Sequence, residues 1–125
     1  MNTVTVDFVA RGEDPSTLKL VLVEQGPWPA EGVEAQLRRV QGRLYDCLDA
    51  AIDGQVAAQY PESVGRKITI RLDGYELPED IVRNFFGAFA AQVRDLPDYS
   101  SALAGSKYVS SIGFELELQR LPTTR

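Results

Sequence analysis

The spacing of apolar residues along this chain changes repeatedly between two and about 3.6, and this succession constrains the fold more than any single motif. Alternation of apolar and polar residues predicts four strands, over residues 3–10, 17–24, 66–73 and 107–121. Spacings of three and four predict a long amphipathic helix over about 30–53 and a second helix from Pro78 to about residue 95. The predicted order is therefore β-β-α-β-α-β.

That order predicts how the strands are joined. The short segment "RGEDPS" between the first two strands is rich in turn formers, which favours an antiparallel hairpin. A helix between the third and fourth strands favours a parallel pair joined by a crossover. Because each strand and each helix has one apolar side, we expect an α+β two-layer sandwich in which two helices cover one face of a four-stranded sheet. With 125 residues, the chain is expected to form a single domain.

Two segments between the main elements are less regular. Gly54 either ends the long helix or kinks it, in which case the helix continues to Tyr60, where Pro61 prevents further extension. A polar loop of about ten residues is expected between the second helix and the last strand. Pro78 suits the first position of the second helix, and the two carboxylates that follow it complement the helix dipole.

Composition excludes several classes of function. The chain has 18 acidic and 13 basic residues, a net charge of −5, and no concentrated basic patch. Binding to nucleic acids or to an anionic membrane depends on such a patch, so neither partner is expected. The N-terminus lacks the basic start and apolar run of a signal peptide, and no apolar stretch is long enough to span a bilayer. We therefore expect a soluble cytoplasmic protein.

The sequence contains no histidine and one cysteine, Cys47. The absence of histidine excludes a histidine-dependent triad and a typical zinc site. Cys47 lies on the apolar side of the long helix, between Leu44 and Leu48, where a thiol packs as a small hydrophobe and is a poor nucleophile. No cofactor is predicted.

Three acidic residues, Asp46, Asp49 and Asp53, lie three and four positions apart on the predicted long helix. Carboxylates in such a row can hold a divalent cation or supply an acid and a base. The favoured interpretation is a solvated helix face, on which Arg39 and Arg43 pair with Asp46 one turn away.

Aromatic and charged residues beside turns are the remaining candidates for a functional surface. Trp28 lies between two prolines, and Tyr60 and Tyr75 adjoin turn formers, so these rings either close the ends of the core or form a binding surface. Arg66 and Lys67 either bind an anion or protect the edge of a sheet against aggregation, which we favour.

One motif set resembles a known family. A tryptophan loop follows the hairpin, and the long helix leads through Gly-Gln, Tyr-Pro-Glu and Gly-Arg-Lys into an Ile-rich strand. This arrangement resembles a family of small bacterial domains with no assigned activity, over the stretch from Val6 to about Phe89. The resemblance implies a compact α+β fold and assigns no catalytic residue. The matching positions are Gly54, Gln55, Tyr60, Pro61, Glu62, Gly65, Arg66 and Lys67.

Two hypotheses of function follow. The first is a non-enzymatic binding or protein-interaction module, whose partner is a second copy or another protein and whose last strand pairs with its twin if it lies at a sheet edge. The alternative is a small-ligand or divalent-cation binder, or an enzyme, in which Asp73, Glu76, Glu79 and Asp80 line one end of the sheet together with Arg66 and Tyr60. The predicted ligand or partner surface consists of Trp28, Tyr60, Glu62, Arg66, Lys67, Asp73, Tyr75 and Glu76.

Overall fold

Four strands and two long helices form a two-layer α+β domain in the computed structural model, which describes residues 6–11, 14 and 16–120. The predicted fold class and the order of its six main elements are confirmed. The strands are β1 (Phe8–Arg11), β2 (Thr17–Gln25), β3 (Arg66–Tyr75) and β4 (Val109–Gln119). The helices are α1 (Val33–Asp53), α2 (Gln55–Gln59), α3 (Glu79–Asp95) and α4 (Pro97–Gly105), with short 3-10 turns at Ala30–Gly32 and Pro61–Ser63.

The four strands form one mixed sheet in the order β1-β2-β3-β4. β1 and β2 are antiparallel, which confirms the hairpin, and β3 pairs in parallel with both β2 and β4, which confirms the predicted crossover. The first strand was predicted over residues 3–10. Its regular part begins at Phe8, and residues 3–5 lie outside the described residues.

The core lies between the sheet and the long helices because apolar residues alternate along the strands. Leu20, Leu22, Ile70 and Leu72 have no solvent exposure, and they pack with Leu44 of α1 and with the aromatic rings of α3. No helix in the described part of the chain has both the length and the apolar character needed to cross a membrane.

The first turn of α3 is less buried than its apolar sequence suggests. Ile81 lies in this turn and is 47% exposed. Val82, Phe86, Phe89 and Val93 are the buried residues of α3. They recur at spacings of four, three and four, and Ile81 lies one position before that row, so its side chain points away from the sheet. Pro78 also differs from its prediction, because it is the N-cap of α3 and Glu79 is the first helical residue.

Gly54 ends α1, and a further short helix follows it. The prediction that the helix ends here and the alternative that helical structure continues after a kink are therefore each correct in part. The backbone of Gly54 is left-handed, with φ of +100°, and α2 follows at once. A Cβ atom at this position would lie 2.8 Å from the ring of Tyr108. Glycine is therefore required here both by the backbone conformation and by the close ring.

Residues 97–105 form the helix α4, and the prediction of a polar loop there was wrong. Pro97 occupies the first turn, where its missing N–H is not needed. Tyr99 stacks on Tyr45 of α1 with ring centroids 5.8 Å apart, and its hydroxyl donates to Asp49 at 2.9 Å. These contacts with α1 stabilise a helix that has only a weak apolar pattern of its own, which is why periodicity did not reveal it.

Candidate functional site

The residues predicted to form one surface lie at opposite ends of β3. Tyr60, Glu62, Arg66 and Lys67 lie before or at the start of this strand, and Asp73, Tyr75 and Glu76 lie at or after its other end. A ten-residue strand spans roughly 30 Å. The hypothesis that Arg66 and Tyr60 join the carboxylates at one end of the sheet is therefore wrong.

At the amino end of β3, the candidate residues form a connector between α2 and the strand. Tyr60 is half-buried against the core, and Glu62 is exposed on the following 3-10 turn. The backbone N–H of Lys67 donates to the carbonyl of Ser16 at 2.9 Å. Because β3 lies between β2 and β4, the interpretation of Arg66 and Lys67 as an edge device is wrong.

At the carboxyl end of the parallel strands, two loops meet and enclose a cleft of about 280 Å³. Trp28 comes from the loop after β2, Glu76 and Leu77 from the loop after β3, and Arg120 from the residues after β4. Glu76 has a left-handed backbone, with φ of +59°, which is uncommon for a residue with a side chain. The structure thus brings Trp28 and Glu76 together, as members of one predicted surface.

The two loops approach so closely that the first of them requires glycine. The Gly26–Pro27 peptide bond is cis, and the N–H of Gly26 donates to the carbonyl of Tyr75 at 2.7 Å. A Cβ atom at Gly26 would lie 2.3 Å from the backbone oxygen of Glu76. Backbone atoms cannot move aside as a flexible side chain can, so any larger residue must displace one of the two loops.

We therefore expect Gly26→Ala to lower the free energy of unfolding by about 1–3 kcal/mol, as overpacking does at other tight contacts. Urea denaturation measures this change. Gly42→Ala is the matched control, because Gly42 lies inside α1 with open space around it, and alanine there should stabilise the helix by about 0.5–1 kcal/mol. Equal effects of the two substitutions would contradict the close contact between the loops.

Asp73 does not belong to the cleft, because strand alternation places it on the face of the sheet opposite the long helices. Its carboxylate accepts a hydrogen bond from Arg71 Nε at 2.5 Å. Arg71 Nη1 also donates to Glu115 at 2.6 Å, and Lys19 Nζ donates to the same carboxylate at 3.1 Å. Together with Glu117, these residues form an ion network across β2, β3 and β4, which we call the open-face network.

The open-face network holds Glu115 in its charged form. Partial burial raises the pKa of Glu115, but hydrogen bonds and positive charge from Lys19 and Arg71 outweigh it and leave the pKa below its ordinary value. Each carboxylate of this network therefore has a cationic partner within the network.

Sequence reasoning missed a second charged cluster, around Glu24. This carboxylate is only 5% exposed and contacts the guanidinium groups of Arg39 and Arg43. Arg43 also donates to Asp7 at 3.0 Å. The prediction that Arg39 and Arg43 pair with Asp46 is therefore wrong. Glu24 lies on the same face of β2 as Leu20 and Leu22, the face that packs against the helices. An acidic residue at a position where the alternation predicts burial is the sequence signal for this cluster.

The remaining chemical candidates have structural roles or remain solvated. Cys47 is fully buried, which confirms its predicted place in the core, and burial raises the pKa of its thiol to about 12. Asp46, Asp49 and Asp53 are exposed on α1. Among the described residues, no group of three or more cysteine, aspartate or glutamate side chains could hold a metal ion.

β4 lies at one edge of the sheet. The hypothesis that the last strand pairs with a second copy required this position. β4 is eleven residues long, and no strand of the described residues pairs with its outer side. Its side chains toward the helices are Ile112, Phe114, Leu116 and Leu118, and all four are only half-buried. The residues of β2 and β3 in register with Ile112, Phe114 and Leu116 are at most 2% exposed. Within the described part of the chain, the outer side of β4 thus combines backbone groups that pair with no strand and apolar side chains that are incompletely covered.

Compared with models of protein families, with curated proteins and with solved structures, the sequence has no significant match. The resemblance to a family of small bacterial domains stays a prediction.

Proposed function

We propose that this protein is a non-enzymatic protein-interaction module that binds an extended polypeptide segment along the outer edge of β4. The observation that carries the proposal is the position of this eleven-residue strand at the edge of the sheet. A strand that is added to such an edge gains main-chain hydrogen bonds for affinity and side-chain contacts for specificity.

Two features of β4 support this role. Its sequence, "VSSIGFELELQ", contains neither proline nor lysine, the residues that commonly protect an edge strand from pairing. Its half-buried apolar side chains would also gain cover from a neighbouring strand, and the removal of apolar surface from water favours association.

Selection from a library of displayed random peptides tests the proposal without knowledge of the natural partner. We expect the selected peptides to alternate apolar and polar residues. When bound, they should slow hydrogen exchange at the amides of Ile112, Phe114, Leu116 and Leu118. If the peptides instead protect the loops around Trp28, the edge is not the binding surface.

A pair of variants at Leu118 isolates the contribution of the edge backbone. Leu118→Ala and Leu118→Pro both shorten the side chain, but only proline removes the backbone N–H. Because a hydrogen bond typically contributes about 0.5–1.5 kcal/mol, the proline variant should bind a selected peptide about 2- to 10-fold more weakly than the alanine variant. Equal affinities would contradict strand addition.

A small-ligand site in the carboxyl-end cleft is the second candidate, favoured by the convergence of Trp28, Glu76 and Arg120 around about 280 Å³. The carboxyl ends of parallel strands are a common place for ligands in sheets with helical crossovers. A thermal-shift screen with nucleotides, sugars and divalent cations tests this candidate. A ligand of the cleft should raise the melting temperature of the unmodified protein and of Glu62→Gln, but not of Trp28→Ala.

The cytoplasm remains the predicted compartment for either function. The composition and the single cysteine support this assignment, since the sequence offers no framework of disulfides.

A further inference from the structure

We infer that the segment bound at this edge is β4 of a second copy, paired antiparallel about a two-fold axis that passes Phe114. The inference rests on the proposed function and adds to it the identity of the partner and the register of the pairing. It joins two sheets into one sheet of eight strands, with the helices of both copies on the same side.

The direction of the backbone groups shows which residues can pair across the edge. The carbonyl of Gln119 accepts from the N–H of Glu76 at 2.9 Å, so the backbone groups of Gln119 point toward β3. Backbone groups alternate between the two sides along a strand. Those of Ile112, Phe114, Leu116 and Leu118 therefore point outward, toward any added strand.

The length of β4 favours a symmetry axis at Phe114. β4 runs from Val109 to Gln119, and Phe114 is its central residue. When the axis passes this residue, residues 111–117 lie opposite residues 117–111 of the partner's strand, in the part of β4 that follows a register shift near its start. The outward-pointing residues then face each other as hydrogen-bonded pairs, in which Phe114 lies opposite the partner's Phe114 and Ile112 opposite the partner's Leu116.

Charge excludes the two neighbouring registers toward the carboxyl end of β4. With the axis at Phe114, Glu115 lies opposite the partner's Gly113, and Glu117 lies opposite the partner's Ser111. An axis at Glu115 would place two copies of that carboxylate opposite each other, and an axis at Leu116 would place Glu115 opposite the partner's Glu117. Like charges in directly opposed positions destabilise a strand pair.

The apolar side of β4 is self-complementary in this register. Ile112, Phe114 and Leu116 are half-buried in one copy and meet the same three residues of the partner. Two-fold interfaces require such a patch, in which the contacts of one copy are repeated by the other. Phe114 already packs edge-to-face against Phe89, with ring centroids 5.6 Å apart, so its ring is held in place before the partner arrives.

Disulfide cross-linking tests the register directly. In the proposed register, positions 111 and 117 of opposite copies are close non-hydrogen-bonded neighbours, and Ser111→Cys/Glu117→Cys should form a covalent dimer on mild oxidation. Ser111→Cys/Glu115→Cys is the matched control and should remain uncross-linked. Native Cys47 does not interfere, because it is fully buried and its pKa is raised to about 12. Efficient cross-linking of the control variant alone would overturn the register.

Charge substitutions at Gly113 provide an independent test in solution. A Cβ atom at Gly113 meets only Thr69 Oγ1, at 3.9 Å, so a side chain fits on the open face. In Gly113→Glu, each copy places its new carboxylate opposite the partner's Glu115, so the dimer contains two like-charge pairs. This variant should raise the dimer Kd about 2- to 30-fold, whereas Gly113→Lys should lower it. Light scattering over a concentration series gives both constants. Urea denaturation shows that each variant folds.

The outcomes separate this inference from the proposed function. A strict monomer at submillimolar concentration that still binds selected peptides at β4 would overturn the inference and leave the proposed function standing. A monomer that binds no peptide at the edge would overturn both. A dimer whose Kd responds equally to lysine and glutamate at Gly113 would pair through another surface, and that result also overturns the inference.

Discussion

Replacement of Phe89 by alanine is expected to lower the free energy of unfolding by about 3–5 kcal/mol, the usual range for a large aromatic residue removed from a core. Phe89 is only 2% exposed. Its ring lies 5.0 Å from that of Tyr45 on α1 and 5.6 Å from that of Phe114 on β4. One side chain therefore connects both long helices with the edge strand, and its loss leaves a cavity between three elements. Urea denaturation followed by circular dichroism measures the change.

Ile81→Ala is the control for this experiment, because Ile81 lies on the same helix but is 47% exposed. Substitutions at exposed positions usually change stability by no more than about 0.5 kcal/mol. A large loss of stability at Ile81 and a small one at Phe89 would contradict the orientation of α3 against the sheet. Peptide binding by the folded fraction of Phe89→Ala would further show whether a fixed Phe114 is needed at the edge.

The second large effect is expected at Glu24. Glu24→Ala removes a buried carboxylate and leaves two guanidinium groups beside the core. Removal of one member of a buried ion pair typically destabilises by 3–5 kcal/mol, but the Arg39 side chain is 49% exposed and can turn to water. We therefore expect a loss of about 2–4 kcal/mol, chiefly from Arg43. Arg39→Ala, which removes the more exposed partner, should lose no more than about 1 kcal/mol.

The pH dependence of stability identifies charge as the cause. Burial raises the pKa of Glu24, but its hydrogen bonds with Arg39 and Arg43 outweigh burial and leave the pKa below its ordinary value of 4.5. The carboxylate thus stabilises the folded state above that pH, and this contribution is lost as the pH falls through the lower pKa of the folded protein. The stability difference between the unmodified protein and Glu24→Gln should therefore shrink on acidification below about 4.5. A constant difference across this range would contradict a charged Glu24.

The spacing of apolar residues predicted the strands and the long helices well, because an element that is buried on one side has apolar residues at regular intervals. Leu20, Leu22, Ile70 and Leu72 alternate along their strands, and all are fully buried in the structure. The short helix α4 left no such trace, since contacts of Tyr99 with α1 stabilise it. Local patterns record which side of an element faces the core, and they record little about elements that depend on distant contacts.

The candidate site was predicted only in part, for a related reason. Trp28 and Glu76 were both selected from the sequence, and the structure brings them to one cleft. Tyr60 and Arg66 were grouped with Glu76 at one end of the sheet, but a ten-residue strand lies between them. Proximity along the chain does not predict proximity at one end of a sheet, because a strand carries its two ends far apart.

The sequence by itself determined the order of the main elements, the side of each that faces the core, the buried position of Cys47 and the absence of histidine chemistry. These properties depend on composition and on the spacing of neighbouring residues. Only the tertiary structure decided that β3 is central and β4 lies at the edge, that Asp73 belongs to the open-face network, and that Glu24 binds Arg39 and Arg43. Each of these facts depends on which distant segments become neighbours. The order of strands in the sheet is therefore what places the last strand of this chain at the edge, where we propose that a partner binds.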